Sequence, residues 1–175
     1  WASMFALGWR AYPRVTIIPD QVRFSSEPLE NYIFTITNRT PDDAYATQLQ
    51  FHLDSPDGKY GEMSPQIPTG SRKPIVEGSP FSDIGGVLCH DSEGHPFLMM
   101  GIYRLTPGER RDISFTAKGF TDGTTLDAEV AFSTGVPQPR RDDPASVTDT
   151  FKIDRSLTCN KAIHCLAGDG TCHVN

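Results

Sequence analysis

No stretch of this 175-residue chain approaches the roughly 18 consecutive apolar residues that a membrane-spanning helix needs. Basic residues are scarce as well: 16 Lys and Arg stand against 22 Asp and Glu, a formal net charge of −6. A nucleic-acid surface requires clustered Lys and Arg to neutralise phosphates. The one dense basic pair, Arg140-Arg141, runs directly into Asp142-Asp143 and is cancelled locally, so no nucleic-acid partner is expected. Also missing are a G-x-S-x-G nucleophile turn, a phosphate-binding loop and a dinucleotide fingerprint. The acidic doublets Asp42-Asp43 and Asp142-Asp143 fall in turn-like sequence. A glycosidase would need such carboxylates to flank a cleft. A carbohydrate-active enzyme using loop carboxylates is therefore only a second alternative, and no enzyme is expected.

Helical periodicity is absent too, and alternation stands in its place. Gly and Pro are plentiful, at 15 and 14 residues, and they punctuate short segments of period two. The segment 31–38, NYIFTITN, sets Tyr32, Phe34 and Ile36 against Ile33, Thr35 and Thr37. The segment 44–53 sets Tyr45, Thr47, Leu49, Phe51 and Leu53 against Ala46, Gln48, Gln50 and His52. Residues 111–119 turn Ile113, Phe115 and Ala117 one way, and 125–134 do the same with Leu126, Ala128, Val130 and Phe132. Residues 96–105, PFLMMGIYRL, are apolar almost throughout, as a central strand would be. With 15–19 at the start and 146–154 at the end, about seven strands are expected, joined by turns rather than helices. Strands of that kind pack as two antiparallel sheets, an all-β sandwich. Residues 54–96 lose the alternation and read as a long excursion with one edge strand near 74–77.

The organisation expected is an apolar arm at 1–13, a sandwich over 14–155 and a Cys-containing tail at 156–175. The arm carries Trp1, Met4, Phe5, Leu7, Trp9 and Tyr12. It suits packing on a protein partner, or membrane association as the outer end of an anchor, where interfacial Trp and Tyr are common.

Two segments carry the resemblance to a known family: YIFTITNRTPDDAYATQLQFHL at 32–53, and YRLTPGERRDISFTAKG at 103–119. In the first, a strand ends in an Asn-centred turn and an alternating strand follows. In the second, an L-x-PGE turn precedes another alternating strand. Both resemble bacterial immunoglobulin-like modules of the cell-adhesion-related type, over roughly residues 15–154. The resemblance implies an extracytoplasmic interaction or spacer domain without chemistry of its own.

The four cysteines are Cys89, Cys159, Cys165 and Cys172, and the last three are spaced C-x5-C-x6-C. Structural zinc usually takes tighter C-x2–4-C knuckles, so disulfides are the first expectation. They would place the chain in an oxidising compartment: periplasmic, cell-surface or secreted. Four cysteines allow three connectivities. The pairing to test first is Cys159 with Cys165 or Cys172, leaving Cys89 for the remaining cysteine. The alternative is a metalloprotein, with zinc in the tail or copper higher up. LCHDSEGHPFLMMG at 88–101 resembles the ligand loop of blue-copper proteins (cupredoxins), with Cys89, His95 and Met99 in order. The second imidazole that copper requires would come from His52. Asn38-Arg39-Thr40 matches the N-glycosylation sequon and lies at a strand-to-turn junction. That position implies an accessible Asn38, which matters only in a eukaryotic host.

Overall fold

The computed structural model describes residues 14–25, 30–66, 73–74, 77–78, 81–137, 158–166 and 172–174. These residues form an all-β sandwich of two antiparallel sheets. In chain order the strands are β1 (Val15–Ile18), β2 (Gln21–Arg23), β3 (Glu30–Asn38), β4 (Ala44–Asp54), β5 (Glu62–Gln66) and β6 (Phe81–His90), then β7 (Pro96–Leu105), β8 (Arg110–Lys118), β9 (Thr125–Thr134), β10 (Thr158–Leu166) and β11 (Cys172–Val174). One sheet runs β1-β3-β8-β5 and the other β11-β10-β6-β7-β4-β9-β2.

The alternating residues meet between the sheets. Phe34 and Phe115 from the first sheet and Phe51 from the second form a near-perpendicular aromatic triad, with ring centroids 4.8 to 5.8 Å apart. Edge-to-face packing of this kind suits aromatic quadrupoles. Around it lie Ile36, Leu49, Leu98, Met100, Ile102 and Ile113, all fully or almost fully buried. Phe24 stacks against Tyr32 and Phe120 and closes one end of the core. The strand β7 is central, as its apolar run implies. Leu98, Met100, Ile102 and Leu105 enter the main core, while Phe97 and Met99 join Cys89 in a second buried cluster.

Four expectations change against this frame. The excursion 54–96 contains two strands, β5 and β6, and Pro74 bridges to Ser82. Its sequence FSDIGGVLCH escapes a period-two reading because Gly85 and Gly86 occupy positions where apolar side chains would mark the faces. Gly86 is required there, since a Cβ would lie 2.6 Å from the Met99 carbonyl oxygen. The alternation of β4 also breaks. Ala46 takes φ +47°, and the register with β9 shifts between Tyr45 and Leu49. This bulge puts Ala44 in the core and leaves Tyr45 out of it, against Tyr103 instead. Phe132 likewise stands outside the core cluster that holds Leu126 and Ala128. Finally, the tail supplies two strands rather than a tether: β10 pairs along β6, and β11 folds back on β10. The arm at 1–13 and the strand expected at 146–154 lie outside the described residues.

Candidate functional site

One pole of the sandwich gathers the densest polar network among the described residues, and two turns build it. Asn38 closes β3 and is fully buried. Its amide nitrogen donates to the carbonyls of Asp42 at 2.8 Å and Leu105 at 3.0 Å, and its amide oxygen accepts from the backbone nitrogen and hydroxyl of Thr40. The 106–109 turn docks on the same residue: Gly108 N donates to Asn38 O and Asn38 N to Glu109 O. Asn38 is therefore a lock between two turns, and the accessible glycosylation acceptor expected from the sequon is corrected. A buried amide with its donors and acceptor engaged has no room for a glycan.

Beside this lock a chain of charges ties the sheets together. Arg111 on β8 and Asp83 on β6 belong to opposite sheets, and both side chains are almost wholly buried. The guanidinium donates twice to the carboxylate, at 2.8 and 3.1 Å. That planar fork is the geometry Arg offers a carboxylate. Burial pushes the Asp83 carboxyl up, while Arg111 opposes the shift. The charged, bidentate guanidinium favours the ionised form of the carboxylate and so works against the effect of burial. Glu109 takes a second Arg111 contact at 3.3 Å and an ion pair from Lys73 at 2.8 Å. It also accepts from the backbone nitrogen and hydroxyl of Thr106. Burial would raise the Glu109 carboxyl, but Lys73 and Thr106 hold it below the ordinary range.

A second knot lies alongside. Asp43 accepts from Arg104 at 2.6 Å and from the Tyr45 hydroxyl at 3.0 Å, and its carbonyl accepts from Arg14 at 2.9 Å. Arg104 also sits over the Tyr45 ring, 5.7 Å from its centroid. Loss of water and the bond to Asp43 raise the Tyr45 hydroxyl pKa. Between the knots opens a depression of about 210 Å³ lined by Lys73, Pro74, Asp83, Tyr103, Arg104, Thr106 and Glu109. Chemically, this pole fastens turns and sheets, because the carboxylates of Asp43, Asp83 and Glu109 are each held by a cation within the fold. Apart from Asn38 and the acidic doublet Asp42-Asp43, sequence reasoning named none of these as candidate residues. A charged residue inside an alternating strand, Arg111 in phase with Ile113 and Phe115, is the signal that would have pointed to the buried pair.

The cysteine and histidine candidates resolve differently. Cys89 is bonded to Cys159, across the β6–β10 register. The first pairing expected, Cys159 with a tail partner, is thus corrected: strand pairing puts Cys159 directly opposite Cys89. Cys165 and Cys172 stand opposite each other on β10 and β11. Of the proposed copper set, Cys89 and Met99 do pack together, but a sulfur in a disulfide has no thiolate to offer a metal. His52 turns edge-on to Phe97, with centroids 3.9 Å apart, and burial lowers its pKa. His95 belongs to the β6–β7 turn, where Asp91 receives its backbone nitrogen and lies 3.2 Å from its Nδ1. No group of three or more His, Cys, Asp or Glu placed to hold a metal ion occurs among the described residues. The arm residues lie outside the described segments.

No protein-family model matches this chain, and no curated protein matches it.

Proposed function

We propose that the chain is a non-enzymatic interaction or assembly module working outside the cytoplasm, as the exposed domain of a membrane-anchored protein or a subunit of a larger complex. The observation that carries this reading is the Cys89–Cys159 disulfide, which fastens β10 to β6. Bonds of that kind form and persist in oxidising compartments. The polar pole supports the same reading, since its carboxylates serve as ties between turns and sheets. The resemblance to adhesion-type immunoglobulin-like modules points the same way. Among the described residues no helix is long and apolar enough to cross a membrane. Attachment would rest on the arm, where Trp1, Met4, Phe5, Leu7, Trp9 and Tyr12 make six large apolar residues in twelve. So concentrated an apolar segment calls for a partner surface or an interface.

Two measurements test this in the native host. A fusion to a reporter enzyme active only outside the cytoplasm should be active, and an inactive, correctly sized fusion argues against the compartment. Crosslinked complexes formed by the full chain should disappear when residues 1–12 are removed. Complexes of unchanged size would remove the arm from the account.

A further inference from the structure

The outer face of the four-stranded sheet holds a second depression, of about 290 Å³, lined by Ile18, Thr35, Thr37, Arg39 and Arg110. Its arginines differ from those of the pole. Arg104 and Arg111 hold carboxylates and Arg14 holds a carbonyl. Arg110 has no ion-pair or hydrogen-bond partner among the described residues, and the Nε of Arg39 donates only to the Thr16 hydroxyl, at 3.0 Å. Strand register brings them to one end of the sheet: Thr37 lies opposite Arg110, and Arg39 follows the end of β3. The Thr37 hydroxyl is likewise uncommitted among the described residues. Of the two lining threonines, Thr35 is engaged, its hydroxyl donating to Asp112 at 2.7 Å. Two large apolar side chains left exposed in the structure, Ile18 at 58% and Ile33 at 56%, stand on the same face. The register makes them diagonal neighbours, because Ile18 lies opposite Thr35 and Ile33 is two residues before it.

Two guanidinium groups without carboxylate partners, a free hydroxyl and an adjoining apolar step form a complementary set. The fork of Arg matches the oxygens of a sulfate, phosphate or carboxylate and bonds them with charge assistance. We propose that this depression is an oxyanion-binding site, taking an anionic group at Arg39 and Arg110 and resting the apolar body of the same ligand on Ile18 and Ile33. The proposal goes beyond the assembly reading and does not depend on it.

The test is an amide-shift titration of the full chain by two-dimensional NMR, with inorganic sulfate and with butyl sulfate, at ionic strength held constant with chloride. The expected result is saturable shifts confined to the amides around Ile18, Thr35, Thr37, Arg39 and Arg110, with butyl sulfate binding several-fold tighter. Both arginines are exposed, so the double variant Arg39→Gln with Arg110→Gln should fold normally and bind at least tenfold more weakly. A control pair, Lys59→Gln with Lys118→Gln, removes the same charge at the other end of the molecule and should leave binding unchanged. Linear, unsaturable shifts, or equal losses in both variants, would overturn the site. Equal affinity for the two anions would overturn its apolar half.

Discussion

Replacing Asp83 with Ala perturbs the one ion pair among the described residues that is buried, bidentate and shared between the two sheets. The substitution leaves the Arg111 guanidinium buried with only the 3.3 Å contact to Glu109. Removing one partner of a buried pair typically costs about 3–5 kcal/mol, because the remaining charge is uncompensated. In a domain of this size each kcal/mol moves the melting temperature by about 2–4 °C, so the midpoint should fall by about 6–20 °C. Arg111→Met alone should cost a similar amount by stranding Asp83. The double variant Asp83→Ala with Arg111→Met tests the cause, because replacing both charges by apolar groups removes the desolvation penalty along with the attraction. It should be markedly more stable than either single change, and Glu109 would still hold Lys73 and Thr106. Urea and thermal unfolding of all four proteins provide the cycle. A cost below about 1 kcal/mol for Asp83→Ala would refute the inter-sheet tie, as would single costs that simply add in the double variant.

Three further outcomes follow from the same structure. Phe51→Ala removes the second sheet's contribution to the aromatic triad; it should cost about 3–5 kcal/mol, measured by chemical unfolding, and a loss below about 1 kcal/mol would mean the triad does not join the sheets. Cys159→Ala opens a link between residues 70 apart in sequence; loop entropy sets the loss near 4 kcal/mol, and amide exchange should accelerate first in β10 and β11, whereas uniform acceleration would contradict their attachment through this bond. Asp57 accepts from Ser55, Lys59 and Thr121, which lower its pKa from 3.8 to about 2. A carboxylate depressed in the folded state stabilises it above the unfolded pKa, and that stability is lost as pH falls from about 4 to about 2. Asp57→Asn should flatten stability against pH across that window, and an unchanged acid limb would show that these bonds do not form in solution.

The residues that made the fold legible are those whose side chains alternate without interruption. Phe34, Ile36, Ile113, Phe115 and Ala117 sit where their period placed them, and so does the continuous run of β7. Elsewhere local chemistry hid the strand. Gly85 and Gly86 erase the face signal of β6, and at Gly86 the β7 backbone passes too close for a side chain. The bulge at Ala46 reverses the phase of β4 without any turn residue to announce it. β10 and β11 carry polar and cysteine residues that pattern no core, and they owe their place to pairing with β6 and to the Cys89–Cys159 bond. The polar pole was illegible for a different reason. Asp83, Glu109 and Arg111 are distant in sequence or ordinary in composition, and only the meeting of β6 with the β7–β8 turn makes them a cluster. Asn38 carried a motif that pointed to the surface, while its hydrogen bonds pull it into the interior.

The disulfide joins fold and compartment in one bond, so its redox state in the native host is the most direct test of the account. Protein trapped by alkylation on lysis, digested without reductant and mapped by mass spectrometry should yield a peptide pair linked through Cys89 and Cys159. Recovery of both residues as alkylated thiols would contradict the proposed oxidising location and the covalent attachment of the C-terminal strands.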